Sequence, residues 1–239
     1  MKFYDLHVQS NLSGGESSIE DLASFAEKLG FSGIAICENF QNIEKLEEFK
    51  QKLKDLQTGI EVYDGLVIQA KDVNELKNTI DRVREEVLIV IVSGGDYLIN
   101  RAACENPKVD ILAHPELGRA DSGLDEYCIN KARENNVAIQ VNFREILYSY
   151  RKPRSYILNH IQKNVKLGDS LRAPLVICSG AQSTWDMRGP RELVSIANIL
   201  GLDVGKAFNA ITTLPQQMIE NNKKTLEGKI ITEGVERVD

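Results

Sequence analysis

The stretch Val87-Leu88-Ile89-Val90-Ile91-Val92-Ser93-Gly94-Gly95-Asp96 decides the fold of this chain. Residues 88–92 are five aliphatic side chains in a row, without the apolar–polar alternation of a strand that keeps one face wet. A strand buried on both faces reads this way, and such strands belong to parallel sheets covered by helices. Working outward, related β-branched runs occur at 2–8, 33–37, 65–69, 110–114, 138–143 and 174–179. Helical periodicity fills the intervals at 19–29, 43–56, 73–83, 97–104, 124–136, 156–166 and 191–200. Seven βα units in series predict an α/β protein. Length and unit count favour a TIM-like (β/α) barrel over an open doubly wound sheet, which needs a topological switch. After residue 200 the pattern is helix, Pro215, helix and a charged tail. With no eighth strand evident, the barrel is expected to be irregular or closed by something short. No linker or internal repeat divides the chain, so a single barrel domain over 1–222 and a charged tail over 223–239 are expected.

A chain of 239 residues with 42% apolar and 27% charged residues has the balance of a globular protein. No apolar run reaches the roughly 20 residues of a membrane helix. The first residues read directly as a strand, without the pattern of a signal peptide. Cys37, Cys104, Cys128 and Cys178 show no CxxC spacing and sit mostly in apolar segments, which suits buried thiols and a reducing cytoplasm. The net charge of −6 argues against a polyanion binder, but its distribution does not. Between residues 140 and 191 there are nine Lys and Arg against three Asp and Glu. The remainder, with 20 basic and 32 acidic residues, carries −12. One basic face on an acidic body is the reading this suggests, with chance clustering on a solvated surface as the alternative.

In a barrel of this kind the loops after the strands build the functional face. The two-residue period places Asp5, His7 and Gln9 on one side at the end of the first strand. Cys37-Glu38-Asn39 end the second strand, His114-Pro115-Glu116 the fifth, and Ser179-Gly180-Ala181-Gln182 the seventh. Histidines, carboxylates and amides thus converge on one rim, in the manner of a divalent-metal site.

This order of segments resembles the polymerase-and-histidinol-phosphatase (PHP) barrel family of metal-dependent phosphoesterases. That resemblance implies a His-x-His pair after the first strand, Asp-His after the second, His before Pro after the fifth, and Asp-x-His late in the chain. His7 and His114 stand at matching positions. Gln9 replaces the second histidine, Glu38-Asn39 the Asp-His pair, and Gly180 and Gln182 the last pair. Amide oxygens are poor ligands for a transition metal and glycine is none. The expectation is therefore a vestigial site at Asp5, His7, Gln9, Glu38, Asn39, His114 and Gln182, with no metal and no catalytic residue.

A narrower resemblance covers nearly the whole chain. It is carried by Ser93-Gly94-Gly95-Asp96, Asn100-Arg101-Ala102-Ala103, Val109-Asp110-Ile111-Leu112-Ala113-His114-Pro115, Val141-Asn142-Phe143-Arg144-Glu145-Ile146-Leu147 and Cys178-Ser179-Gly180-Ala181-Gln182-Ser183, with Trp185-Asp186-Met187-Arg188-Gly189-Pro190-Arg191-Glu192-Leu193 behind it. These segments resemble the archaeal ribonuclease P protein component 3 family. One departure is Gln140, where the family pattern has Glu. The resemblance implies a barrel scaffold in the ribonucleoprotein that removes the 5′ leader from precursor tRNA. It implies that the RNA subunit performs the chemistry with magnesium, that this chain binds no cofactor, and that it pairs with ribonuclease P protein component 2 and other components.

With that function in view, the basic residues Arg144, Arg151, Lys152, Arg154, Lys163, Lys166, Arg172, Arg188 and Arg191 are the candidate RNA contacts. Arg151, Lys152 and Arg154 read as an exposed loop interleaved with Tyr148 and Tyr150, suited to phosphates and unpaired bases. Arg188 and Arg191 flank Pro190 at a helix start, a place that favours anions. Arg144 and Arg188 divide evenly between RNA contact and pairing with rim carboxylates such as Asp5 or Glu38. The Gly94-Gly95 pair reads as a tight turn with Asp96 capping a helix, in preference to a phosphate cradle. Trp185 reads equally as core or as an interface anchor. The alternative function is a PHP-type phosphoesterase with a reduced site at His7, Glu38 and His114.

Overall fold

The computed structural model describes residues 1–228 and the backbone of 230–232 and 235–236. Seven strands alternate with helices: β1 Tyr4–Val8, α1 Ile19–Leu29, β2 Gly33–Asn39, α2 Ile43–Lys54, β3 Glu61–Ile68, α3 Val73–Val83, β4 Ile89–Ser93, α4 Tyr97–Cys104, β5 Ile111–Ala113, α5 Glu126–Glu134 and β6 Ala138–Asn142. Then come α6 Phe143–Tyr148, α7 Arg151–Ser170, β7 Leu175–Cys178, α8 Pro190–Ile199, α9 Val204–Asn209 and α10 Thr213–Leu226. The seven strands form one parallel sheet in sequential order. It is a TIM-like barrel, as the βα series predicts. A short antiparallel pair, β8 Ile230–Thr232 and β9 Val235–Glu236, follows. Of the tail expected over 223–239, residues 223–226 extend α10, and 229, 233–234 and 237–239 lie outside the described residues.

The barrel closes without an eighth strand. At the top of the seam Val8 bridges Ala181 in parallel, and Gln9 N donates to Ala181 O at 2.8 Å. Lower down, Tyr4 N donates to Ile211 O at 3.0 Å and Ile177 N to Ala210 O at 3.2 Å. The turn after α9 thus satisfies the two seam strands where the eighth strand of a regular barrel would stand, which is the short closure the sequence pattern suggests.

Fewer strands leave a narrower lumen, and the inward positions are correspondingly small. Ala35, Cys37, Ala113, Ala138 and Cys178 share the interior with Tyr4, Leu6, Ile89, Ile91, Ile111 and Val176. A Cβ on Gly65 would stand 2.5 Å from Cys37 Sγ. The alternate side chains of each strand pack outward against the helices. α10 plugs the bottom: Ile219 joins the interior cluster, and Asn222 Nδ2 donates to Leu88 O and to Asp110 Oδ1, both at 2.8 Å. Asp110 also accepts from Arg84 at 2.6 Å, a pair about nine-tenths buried. No helix among the described residues is long and apolar enough to cross a membrane, and all four cysteines are free thiols and buried.

The Gly94-Gly95 turn is structural. Asp96 caps α4 by accepting from Leu98 N and Ile99 N. Asn100, fully buried, accepts from Gly95 N at 3.1 Å and donates to Pro115 O and Gly123 O, both at 2.9 Å. That one side chain ties the β4–α4 turn to the loop after β5, and a Cβ on Gly94 would stand 2.8 Å from Ala113 O. Asn100→Ala leaves these buried groups unpaired and should lose about 3 kcal/mol. In thermal denaturation this is a fall in Tm of about 6–12 °C.

Candidate functional site: the barrel rim and the basic face

His7 is buried and His114 largely so, and both hydrogen-bond to neutral groups, with the Glu145 carboxylate 3.9 Å from His114 Nδ1. A bulge in β1, where the register to β2 slips between Asp5 and Val8, breaks the two-residue period. Leu6 joins the interior, and Asp5 turns to the seam, where it accepts from Ser179 N at 3.1 Å and His7 N at 3.3 Å. The shared side expected for Asp5, His7 and Gln9 is therefore kept only by His7 and Gln9, a correction caused by the bulge. Burial pushes the Asp5 carboxyl up to about 6.

His7 Nδ1 lies 3.0 Å from Gln140 Oε1. Because an amide oxygen only accepts, this nitrogen carries the proton. Gln140 so gives His7 a neutral partner, and its own Nε2 is buried without a hydrogen-bond partner. His114 sits at φ +34°, in the left-handed region, held between Asn142 Nδ2 at 3.2 Å and Ser93 Oγ at 3.1 Å. Burial lowers its pKa to about 3, with His7 and Arg144 adding in the same direction. His7 is lowered as well, first by burial.

The remaining rim positions bond one another and leave no ligand set. Gln182 Nε2 donates to Gln9 Oε1 at 2.7 Å, and Gln9 Nε2 to Asn39 Oδ1 at 3.2 Å. Glu38 accepts from Ser10 N at 3.1 Å, from Ser10 Oγ at 2.5 Å and from Ser13 Oγ, so both oxygens hold the loop after β1. Gly180 has φ +64°, and a Cβ there would stand 2.3 Å from Asn142 Oδ1. Among the described residues no group of three or more His, Cys, Asp or Glu side chains is placed to hold a metal ion. The donor set does not fit the metal centre of PHP enzymes.

The basic segment folds differently from the loop expected. Asn142 caps a short helix, α6, and α7 begins at Arg151, with residues 149–150 extended between them. Arg151, Lys152 and Arg154 therefore lie in the first turn of α7. Arg154 is turned inward: Nε donates to Ser149 O at 2.7 Å and Nη2 to Leu147 O at 3.3 Å, satisfying the end of α6. Arg144 lies 3.4 Å from Asp186, and neither Asp5 nor Glu38 is its partner. The contact is one of charge, since its Nε has no aligned hydrogen bond. Arg188 donates to Trp185 O and Met187 O. Arg151, Lys152 and Arg191 are exposed. Lys163, Lys166 and Arg172 are not brought to this rim. α7 runs back down the barrel, about 30 Å over 20 residues, and carries them toward the other end.

What the rim gains is aromatic. Arg144 lies 4.2 Å from the Tyr148 ring centre, Arg151 5.1 Å from Tyr150, Lys152 5.9 Å from Tyr156 and Arg188 5.3 Å from Phe143. Tyr148 OH donates to Asp186 at 2.8 Å. Trp185 is 85% exposed, which excludes the core reading. Tyr156 is not among the residues the sequence singles out, although its spacing of four from Lys152 on one helix face is a usable signal.

A parallel barrel with histidines at its rim and, among the described residues, no group placed to hold a metal has the fold of PHP-type phosphatases. A histidinol phosphate phosphatase from Lactococcus lactis shares the fold, with a TM-score of 0.60 and 14% identity over 86% of this chain and 94% of that one. The chain belongs to the ribonuclease P subunit p30 family, whose model matches residues 2–226. Ribonuclease P protein component 3 of Methanosarcina mazei is 35% identical over 93% of this chain and 90% of its own. The counterpart from Methanothermobacter thermautotrophicus is 29% identical over 98% and 95%. A chain in the cryo-EM structure of an archaeal ribonuclease P with mature tRNA superposes with a TM-score of 0.81, at 25% identity over 99% of this chain and 98% of that one.

The histidine environment sets a pH signature. His7 and His114 have lowered pKa values, so the unfolded chain binds more protons below its ordinary value near 6.5. Their contribution to stability is complete above that pH and falls as pH drops toward about 3. NMR of the imidazole nitrogens should find His114 neutral at pH 5.5 and His7 titrating below the ordinary value. Protonation of His114 at that pH would contradict the network described.

Proposed function

We propose that this chain is the barrel-shaped protein subunit of ribonuclease P, the ribonucleoprotein that removes the 5′ leader from precursor tRNA, and that it contributes no catalytic group. The observation that carries this reading is the face formed by α6, the start of α7 and the β7–α8 loop. There Arg151 and Lys152 are exposed and pair with no carboxylate among the described residues, beside a rim whose polar groups are consumed by one another, while the exposed Arg191 lies in the first turn of α8, where Gly189 approaches the end of α1 at Leu29. Such cations suit the phosphates of the RNA subunit and of precursor tRNA. Arg144, Arg154 and Arg188 serve mainly to shape that face. Lys163, Lys166 and Arg172 form a separate strip of positive charge on the barrel's flank, available to a second RNA element. The chemistry falls to the RNA subunit and its magnesium ions, with no cofactor held by this chain. Protein component 2 is the proposed protein partner, with further components around it, and the cytoplasm the proposed compartment.

The test is reconstitution. The RNA with component 2 and the other proteins should process precursor tRNA much faster when this chain is present, at physiological magnesium. Equal leader removal without it overturns the proposal. In RNA-binding titrations over a range of salt, the Arg151→Ala/Lys152→Ala/Arg191→Ala variant should show a slope shallower by about 0.7–0.9 for each phosphate no longer neutralised.

A further inference from the structure

We propose that this face takes unpaired RNA, with nucleobases stacked on Tyr148, Tyr150, Tyr156 and Trp185, and not the outside of a duplex. The proposal rests on the ribonuclease P reading and specifies the class of RNA that the face recognises.

Phosphate contacts require cations but no aromatic rings. Here four large rings are exposed on α6, the start of α7 and the β7–α8 loop, by 61% at Tyr148, 67% at Tyr150, 52% at Tyr156 and 85% at Trp185. Several exposed large rings on neighbouring segments mark a binding site. The three tyrosines each carry a cation over the ring while most of the side chain stays open to solvent. The surface is also preformed. Asp186, 2% exposed, accepts from Tyr148 OH at 2.8 Å and from Gln182 N at 3.0 Å, and faces Arg144 at 3.4 Å. That places Tyr148 beside the loop that carries Trp185, and Arg188 bridges from Trp185 O to the Phe143 ring.

An A-form duplex keeps its base faces stacked and presents phosphates and 2′-hydroxyls, which would leave these rings without a partner. Unpaired nucleotides offer a phosphate and a free π-face at every step, the combination that interleaved cations and rings match. A protein partner would also cover the rings, but Arg151 and Lys152 have no carboxylate partner among the described residues and favour a polyanion.

Trp185 is the sole tryptophan and reports on its own face. The full chain is titrated with single-stranded oligoadenylate and oligouridylate, and with an RNA duplex of equal nucleotide count at equal salt. Fluorescence quenching reads the ring face, and anisotropy of labelled RNA reads affinity. The single strands should quench Trp185 and bind about tenfold more tightly than the duplex. Tyr150→Ala should weaken single-strand binding about fivefold or more, with duplex binding and Tm unchanged, and Tyr150→Trp should retain it. Equal or tighter duplex binding overturns the proposal. So does a Tyr150→Ala variant that binds single strands normally but associates less well with the other protein subunits, which would make the face a protein interface. Neither result touches the subunit reading, which stands or falls on leader removal in the reconstituted particle.

Discussion

The seam between β1 and β7 is the constraint around which the molecule is arranged. Seven strands close with one parallel bridge, Val8 to Ala181, and with two carbonyls, Ala210 and Ile211, lent by a turn. The closure dictates a narrow lumen, and alanine, cysteine and glycine at inward positions follow from it. It also brings Asp5 against Ser179, where a buried carboxyl bonds the backbone of the opposite strand. The helix that supplies the closing turn runs on into α10, which seals the bottom through Ile219 and Asn222.

At the top of the same barrel, polarity is retained but charge is neutralised. Burial lowers the pKa of two histidines, whose hydrogen-bond partners are amides and a hydroxyl. The ends of β1 and β2 and the β7–α8 loop are joined by the chain Gln182, Gln9 and Asn39. In a metal hydrolase ions would cross-link these strand ends. Here side-chain amides do so, and they reach through Asp186 to the aromatic face.

Elements with strong periodicity were legible in the sequence: α1, α3 and α4 match their expected bounds, because buried faces recur at helical spacing and Ser18, Asp72 and Asp96 cap them. The region from Phe143 to Tyr156 was not. Its tyrosines, serines and Pro153 read as a loop, yet a proline in the first turn of α7 removes an N–H that has no partner there anyway. The loss of metal ligands was visible in residue types alone. The bulge that moves Asp5 was not, since register depends on pairing with β2 and not on any local signal. Nor was the inward turn of Arg154, which answers to the carbonyls of a helix end absent from the sequence pattern.

Gly180 gives this architecture a direction in evolutionary terms. Its left-handed backbone and the 2.3 Å approach to the Asn142 side chain favour glycine and oppose any larger residue. An acid at that position has to wait until Asn142 moves, but Asn142 caps α6 and supports His114. An acid at position 180 therefore costs the Asn142 contacts to Arg144 N and His114 before it can supply a ligand. At this position packing, and not residue type alone, stands against a return of the ligand.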